Sequence, residues 1–390
     1  MNAYITGSSL VCNIGDNKQD IISNLKNISP KTYKENLQEI LKDKTFYKIY
    51  DYDYSNEKRF QKILEKVVLD AVKEAKLSKE EQEDLHIFLG STSMEMGTNE
   101  QFKDEFDNGL SNLEFKNIGN GAIGQYVERL LNSRHKATLF STACTSSVNA
   151  LAYAAKMIEK KKIKRAIVIG FELFNKSTFG GFSSLMLLSQ SKIYRPFDKN
   201  SDGIILGEGC SAVILENEKK EENNFKYISS SNICDNYSET TSDPSGTPIF
   251  EAMNSALKNA KLQVKDLDCI KAHATGSENN NSSEAKALAQ LFNSYEEKTQ
   301  VTALKPILGH TLGACGTNEI VLMLEAIKNS FLPATFGFEE AIDDLAFTPI
   351  LEHKPCENKQ TILLNYVAFG GNNSSIILSN KDWYVYSLNL

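Results

Sequence analysis

The stretch Thr138-Leu139-Phe140-Ser141-Thr142-Ala143-Cys144-Thr145-Ser146-Ser147 decides how this chain is read. An apolar run with the character of a strand breaks at small, hydroxyl-bearing residues. Val148-Asn149-Ala150-Leu151-Ala152-Tyr153-Ala154-Ala155-Lys156-Met157-Ile158 then follows with the period of a helix. One thiol therefore sits at a strand-to-helix turn. Free backbone N–H groups and the positive end of the helix dipole there favour the thiolate over the thiol, and a thiolate attacks carbonyls. The turn alone leaves a second reading open, a buried free cysteine packed as a small hydrophobe.

Outward from this stretch, strand-like runs alternate with helix-like runs, which predicts an α/β fold. Strands are expected at about 4–6, 87–89, 138–140, 166–169, 212–215, 269–272, 361–364 and 375–378. Helices are expected at about 58–75, 124–131, 145–159, 249–259, 283–292 and 317–329. Two segments echo each other. Residues 138–158 run strand, turn with Cys144, long apolar helix; residues 301–327 run strand, turn with His310, long apolar helix. A duplicated half-unit produces this kind of self-similarity. The polar segment 217–224 is the candidate joint, dividing the chain into halves 1–222 and 223–390.

Composition narrows the function classes. The 390 residues are 41% apolar and 24% charged, as in soluble globular proteins, and no run of about 18 apolar residues predicts a spanning helix. The first residues, Met1-Asn2-Ala3-Tyr4-Ile5-Thr6-Gly7, lack the blocks of a signal peptide and read as an immediate strand. Seven cysteines without a Cys-x-x-Cys pair argue against a disulfide framework and a zinc site. The expected location is the cytoplasm. A net charge of −7 gives no reason to expect nucleic acid, and the run Lys160-Lys161-Lys162-Ile163-Lys164-Arg165 reads as a solvated helix end.

There are five histidines. His273, in Ala272-His273-Ala274-Thr275-Gly276-Ser277, and His310, in Gly309-His310-Thr311-Leu312-Gly313, both stand where a strand gives way to a small-residue loop, the usual ligand-binding end of an α/β fold. Each alone also fits a satisfied core histidine. His86, His135 and His353 read as surface residues. Gly203-Ile204-Ile205-Leu206-Gly207-Glu208-Gly209 is neither a dinucleotide nor a phosphate loop, and the absence of a Gly-x-Ser-x-Gly elbow disfavours a serine hydrolase.

Taken together these segments resemble the β-ketoacyl-ACP synthases, the elongating condensing enzymes of fatty acid and type II polyketide synthesis. Thr142-Ala143-Cys144-Thr145-Ser146 is similar to that family's nucleophile segment. Gly180-Gly181-Phe182-Ser183-Ser184-Leu185, Arg195-Pro196-Phe197-Asp198 through Gly203, and Gly207-Glu208-Gly209 are similar to further blocks. His273-Ala274-Thr275-Gly276-Ser277 and Lys305 through Gly313-Ala314 are similar to its two histidine motifs, and Ala368-Phe369-Gly370-Gly371-Asn372 to its C-terminal glycine loop. The blocks keep family order over nearly the whole chain.

The resemblance implies a thiolase-like fold, two duplicated halves stacked as five αβαβα layers, and a dimer, either a homodimer or a heterodimer with a ketosynthase-like chain-length partner. It implies that Cys144 carries an acyl chain, that the Cys144 and Phe369 N–H groups form an oxyanion hole, and that His273 and His310 donate from Nε2 as neutral imidazoles. It places Lys305 beside them, with Glu319 as its buried partner, Phe369 as a gate, and Thr275 and Ser277 on the substrate arm. No cofactor is implied beyond the phosphopantetheine of an acyl carrier protein. That carrier is acidic in the family, and Lys58, Lys62 and Lys66, on one predicted helix face, are the candidate docking surface, with a merely solvated face as the other reading.

Some positions depart from the family pattern. Ala274 and Ala368 stand where glycine is common, which puts backbone freedom around Phe369 in question. Asn281 and Asn372 replace a usual aspartate and threonine, and an aromatic tail with Trp383, Tyr384 and Tyr386 extends past the matched region. A non-catalytic chain-length partner would lack the nucleophile. A degradative thiolase would hold a second cysteine near the C-terminal glycine loop, where Cys356 is poorly placed; Cys315 is the closer rival to Cys144.

Overall fold

The computed structural model describes residues 1–28, 39–41, 44–49, 52, 59–94, 96–97, 99–100, 103, 108–109 and 121–381. Lys58 and the aromatic tail from 382 onward lie outside the described residues. Ten strands carry the architecture. The first five are β1 (Tyr4–Cys12), β2 (His86–Gly90), β3 (Thr138–Phe140), β4 (Arg165–Glu172) and β5 (Gly209–Glu216). The second five are β6 (Lys226–Cys234), β7 (Cys269–Lys271), β8 (Gln300–Thr302), β9 (Thr361–Val367) and β10 (Asn372–Ser379).

The two sets repeat one topology. The first sheet runs β1-β5-β4-β2-β3 and the second β6-β10-β9-β7-β8, so each strand has a counterpart five places later. In the first, β1 and β4 pair antiparallel with β5, while β2 pairs parallel with both β4 and β3. In the second, β6 and β9 pair antiparallel with β10, while β7 pairs parallel with both β9 and β8. The sheets meet at the antiparallel pair Tyr4 and Lys226. The exposed segment 217–223 runs between them.

Helices fill three layers around these sheets. The outer helices α1 (Arg59–Glu74) and α2 (Ala122–Leu131) cover the first sheet. On α1 the buried residues Ile63, Leu64, Val67, Val68, Ala71 and Val72 recur every three or four positions, the stripe of a helix with one wet side. α5 (Thr247–Ala260) covers the second sheet, with α6 (Glu278–Tyr295) beside it. Between the sheets lie α3 (Ser146–Glu159) and α7 (Cys315–Lys328), packed on each other. α7 is buried from Cys315 to Ile327, so its sequence has no wet face, and the polar residues it carries, Thr317, Asn318, Glu319 and Glu325, are buried with the apolar ones. The result is five layers, α/β/α/β/α, with the two interior helices aimed at one another through their N-terminal ends. Gly316 is what lets them meet, because a Cβ there would fall 2.3 Å from the backbone nitrogen of Val148.

Eight expected strands coincide with observed ones, and the six expected helices are present. Of the elements that went unread, the helix Lys18–Asn27 among them, two are instructive. β6, Lys-Tyr-Ile-Ser-Ser-Ser-Asn-Ile-Cys, looks polar, yet Ser229, Ser230 and Ser231 are buried. The Ser229 hydroxyl donates to the Ala256 carbonyl and the Ser230 hydroxyl pairs with that of Tyr227, so these serines carry their partners into the interior. α4 (Lys176–Ser184) contains Gly180-Gly181 and no buried residue; its start is held by Asn175, which accepts from the Thr178 N–H.

Candidate active site

The turn between β3 and α3 is built by its own small side chains. Ala143 takes a left-handed φ of 51°, costly for a residue with a Cβ, by about 1 kcal/mol. Hydrogen bonds over-determine it. The Ser146 hydroxyl donates to the Ala143 carbonyl and accepts from the Thr142 N–H, and the Asn149 amide donates to the Thr142 hydroxyl. The strained turn sets Cys144 just ahead of α3, 6% exposed, on the wall of a cavity of about 300 Å³.

The opposite half supplies two imidazoles to the same cavity. His310 Nε2 lies 3.2 Å from the Cys144 sulfur. The His310 Nδ1 accepts from the Leu312 N–H at 3.2 Å, so the neutral ring carries its proton on Nε2. His273 Nδ1 lies 3.1 Å from the Lys305 ammonium, a donor with no acceptor capacity, which likewise leaves the ring proton on Nε2. The two rings stand edge to face, 5.3 Å between centroids. Burial, and then the charge of Lys305, hold both imidazoles well below their ordinary range.

Backbone staples fix both loops. The N–H groups of His273 and Ala274 donate to the Glu284 carboxylate at 2.6 and 2.7 Å, and the Asn365 amide donates to the same group. On the other side Gly313, Thr92 and Ser93 donate their N–H groups to Glu172, anchoring the His310 turn to β4. Ala274 has a left-handed φ of 50°, so its methyl group does strain the loop. Ala368 is extended, with a φ of −135°, a conformation open to any residue, so the expected restriction falls at Ala274 alone.

Behind the imidazoles lies a buried ion cluster. Glu319 presents one oxygen to Lys305 at 2.8 Å and the other to Lys271 at 2.5 Å. The expected Lys305–Glu319 pair is thus one side of a three-member group. Lys271 was missed. Its signal was a single cation inside the buried strand Cys269-Ile270-Lys271-Ala272, which must find a partner. Burial lowers the Lys271 pKa, with Glu319 opposing; for Lys305 burial is again the largest influence and lowers it, but the Glu319 charge and hydrogen bond, with the Cys315 and Cys144 sulfurs, together turn the net direction up.

One expectation is overturned. The helix mouth was expected to hold a thiolate. Burial instead pushes the Cys144 thiol up to about 12, with the Lys305 charge and the Phe369 N–H, which is directed at the sulfur, pulling the other way. Burial favours the thiol because the surroundings that replace solvent around the sulfur stabilise an anion less well. Cys315, the rival thiol, is buried behind Cys144 and donates to its carbonyl oxygen at 3.0 Å.

Phe369, Thr275 and Ser277 all line the cavity. The Phe369 ring stacks on Phe182 at 5.7 Å, an aromatic partner that sequence reading did not assign to the site. Gly371, beyond it, has a φ of 75°, and a Cβ there would fall 1.6 Å from the Asp235 carbonyl, so only glycine fits this crossing. Thr275 and Ser277 share a hydroxyl contact at 3.0 Å.

The lysine stripe on α1 needs correction. Lys62 is exposed, but Lys66 is half-buried and pairs with Asp70 at 3.1 Å, with Asp16 at 4.0 Å, because both carboxylates lie within reach of its side chain. The stripe is therefore not a row of free cations. His353 is half-buried rather than fully at the surface: it packs on Phe331 and Phe336 and accepts from the Ala334 N–H. Among the described residues no helix is long and apolar enough to cross a membrane, and no cluster of three or more His, Cys, Asp or Glu is placed to hold a metal ion.

Comparison with known proteins adds the family. The chain is 32% identical over 252 residues to 3-oxoacyl-[acyl-carrier-protein] synthase 2 of Coxiella burnetii, covering 61% of this chain. The chain spans about 60% of that relative's length. A ketosynthase solved in complex with its chain length factor from Xenorhabdus doucetiae superposes with a TM-score of 0.80 at 24% identity, covering 97% of this chain and 98% of that one. A type II polyketide ketosynthase in complex with its acyl carrier protein superposes with a TM-score of 0.83 at 16% identity, covering 98% and 99%. The model of the β-ketoacyl synthase N-terminal domain matches residues 5–221, more than half the chain, and that of the C-terminal domain matches 227–339. The chain belongs to the β-ketoacyl synthase family.

Proposed function

We propose that this protein is an acyltransferase that joins an acyl chain held on Cys144 to a malonyl group, with loss of carbon dioxide, to give a 3-oxoacyl thioester in fatty acid or type II polyketide elongation. The observation that carries this reading is the 3.2 Å approach of the Cys144 sulfur to His310 Nε2, with His273 on the same cavity wall. We assign residues 1–222 and 223–390 to the two halves that supply the thiol and the imidazoles.

In this mechanism an acyl thioester enters and the Cys144 sulfur attacks its carbonyl carbon. The N–H groups of Cys144 and Phe369 receive the developing oxyanion. The carrier thiol leaves with the proton that Cys144 loses. A malonyl thioester then enters, and its carboxylate departs as carbon dioxide. The electron pair left behind forms an enolate whose oxygen accepts from the Nε2–H groups of His273 and His310. The enolate carbon attacks the acyl carbonyl, and Cys144 leaves and regains a proton. Decarboxylation makes the carbanion, so the scheme calls for no strong base and no cofactor beyond the carrier's phosphopantetheine. Lys305, and Glu319 behind it, orient His273; Thr275 and Ser277 contact the arm; Phe369 gates the cavity.

The partner in this scheme is an acyl carrier protein, as named for one structural relative. A dimer, with a second copy or with a chain length partner as in another relative, is supported by the edge position of β3 and the exposed Tyr153 beside it. The cytoplasm is the compartment in which seven unpaired cysteines would stay reduced. A non-catalytic role fits less well with a thiol and two Nε2–H donors converging on one cavity. Intact-protein mass spectrometry after incubation with acyl-carrier thioesters of graded length tests the reading. It requires a covalent acyl adduct mapping to Cys144 and a 3-oxoacyl product once malonyl carrier is added. An adduct at another cysteine, or none at any chain length, would sink it.

A further inference from the structure

Lys271 stands outside the mechanism above, yet it is fully buried and shares the carboxylate on which Lys305 depends. Its ammonium has three partners: Glu319 Oε2 at 2.5 Å, the Asn365 carbonyl at 2.8 Å, and the face of Tyr366 at 3.5 Å from the ring centroid. Three contacts on a cation with three donors leave it no freedom. A buried cation this well held is expensive to build, and an apolar side chain would fill β7 more simply.

Resting on the condensing reading, we propose that Lys271 is a positioning residue: by holding Oε2 of Glu319 it turns Oε1 onto Lys305, and through Lys305 it keeps the His273 proton on Nε2, facing the cavity. The relay is continuous at hydrogen-bond distance, Lys271 to Glu319, Glu319 to Lys305 at 2.8 Å, Lys305 to His273 Nδ1 at 3.1 Å. Without Lys271 the carboxylate can rotate, and Lys305 can leave Nδ1 to follow it. His273 then loses its fixed tautomer and becomes easier to protonate. The other groups facing it are His310 across the cavity, the Cys144 thiol, and Glu284 at its backbone N–H. Of these only the Glu284 carboxylate can favour a cationic ring, and it is already engaged by two N–H groups and the Asn365 amide.

The experiment compares wild type with K271M and K271Q by ¹⁵N NMR of labelled histidine, the His273 signals being assigned from an H273N spectrum. Wild type is expected to show a single Nε2–H tautomer of His273 from about pH 8 to pH 6. K271M is expected to show both tautomers, or protonation within that range, and K271Q, which keeps a donor to Glu319, an intermediate spectrum. Malonyl-carrier decarboxylation is read in parallel, and K271M should develop an acidic limb, losing about ten-fold in rate for each unit that pH falls below the raised His273 pKa. Unchanged His273 signals in folded variants overturn the proposal, as does failure of both variants to fold, which would make Lys271 a support of the fold alone. A wild type that decarboxylates no malonyl carrier, while the NMR difference between it and K271M is still seen, counts against the condensing reading and not against the relay.

Discussion

Replacing Glu319 with glutamine removes the carboxylate shared by two buried ammonium groups. Both lysines are fully buried and Glu319 is 1% exposed, so no solvent screens what is left. Breaking a buried pair in this way costs about 3–5 kcal/mol. With an unfolding entropy of about 2.1 cal/mol/K per residue, 390 residues give about 0.8 kcal/mol/K, which converts that cost into a fall in Tm of about 4–6 °C. The size should depend on pH. Lys271 already sits below its ordinary pKa through burial, and loss of Glu319 lowers it further. The unfolded chain then binds more protons than the folded one at any pH between the two values, so stability rises with pH across that window. Differential scanning calorimetry at about pH 6 and pH 9 should show a larger deficit at the lower value. The double variant Glu319→Gln with Lys271→Met should recover part of the loss, since one unpaired cation is gone. A deficit under about 1 °C, or one that grows as pH rises, would refute the reasoning, because it would mean that the cluster is hydrated or uncharged.

Four other outcomes follow from the site. Alkylation of Cys144 by iodoacetamide, mapped by peptide mass spectrometry, should accelerate about ten-fold per pH unit from 7 to 10 with no plateau, as a thiol held near about 12 requires; a plateau near neutrality would show a resting thiolate. His273→Ala and His310→Ala should each leave Cys144 open to acylation while lowering kcat for condensation by about 10²–10³, the usual loss for one oxyanion donor, in a carrier-based turnover assay. Gly316→Ala should cost about 1–3 kcal/mol in a thermal melt, since the new methyl group meets the backbone of Val148 rather than a yielding side chain. Lys62→Glu should raise the KM for the carrier more than Lys66→Glu does, because Lys66 is already paired with Asp70; equal or absent effects would remove α1 from the docking surface.

How much of this was legible in the sequence depended on whether a signal was local. The apolar runs of β2, β4, β5 and β9 announce themselves because both faces of their sheets are covered by helices and nearly every residue is buried. β6 hid because its interior contacts are hydroxyl groups satisfied across the chain, at Ala256 and within the strand, and no local pattern tells a satisfied serine from a wet one. The Cys144 turn and the two histidine loops were readable as breaks after strands. That His310 approaches the sulfur from the other half was not, since 166 residues separate them and only the packing of α3 on α7 closes that distance. Lys66 misled for a related reason. Its i, i+4 neighbour Asp70 was in view, but pairing there competes with exposure, and the fold decides between them.

The overturned expectation about the thiol bears on how the site works. Burial pushes the Cys144 thiol up to about 12, so the anion is strongly disfavoured at neutral pH. On the condensing reading, the reactivity proposed for Cys144 would then not rest on a static thiolate. What surrounds the sulfur is a set of donors already aimed at it: His310 Nε2–H at 3.2 Å, the Phe369 N–H, and the Lys305 charge behind His273. Donors held in place by the Leu312 N–H, the Glu284 carboxylate and Glu319 need no reorganisation when charge develops. The same burial that suppresses the anion strengthens each of these interactions once it forms, because little water competes with them. On that reading, proton loss is coupled to the arrival of an electrophile that fills the cavity and takes over the charge. Burial of this kind would also spare the sulfur from oxidation and stray alkylation, since both require the thiolate that it disfavours.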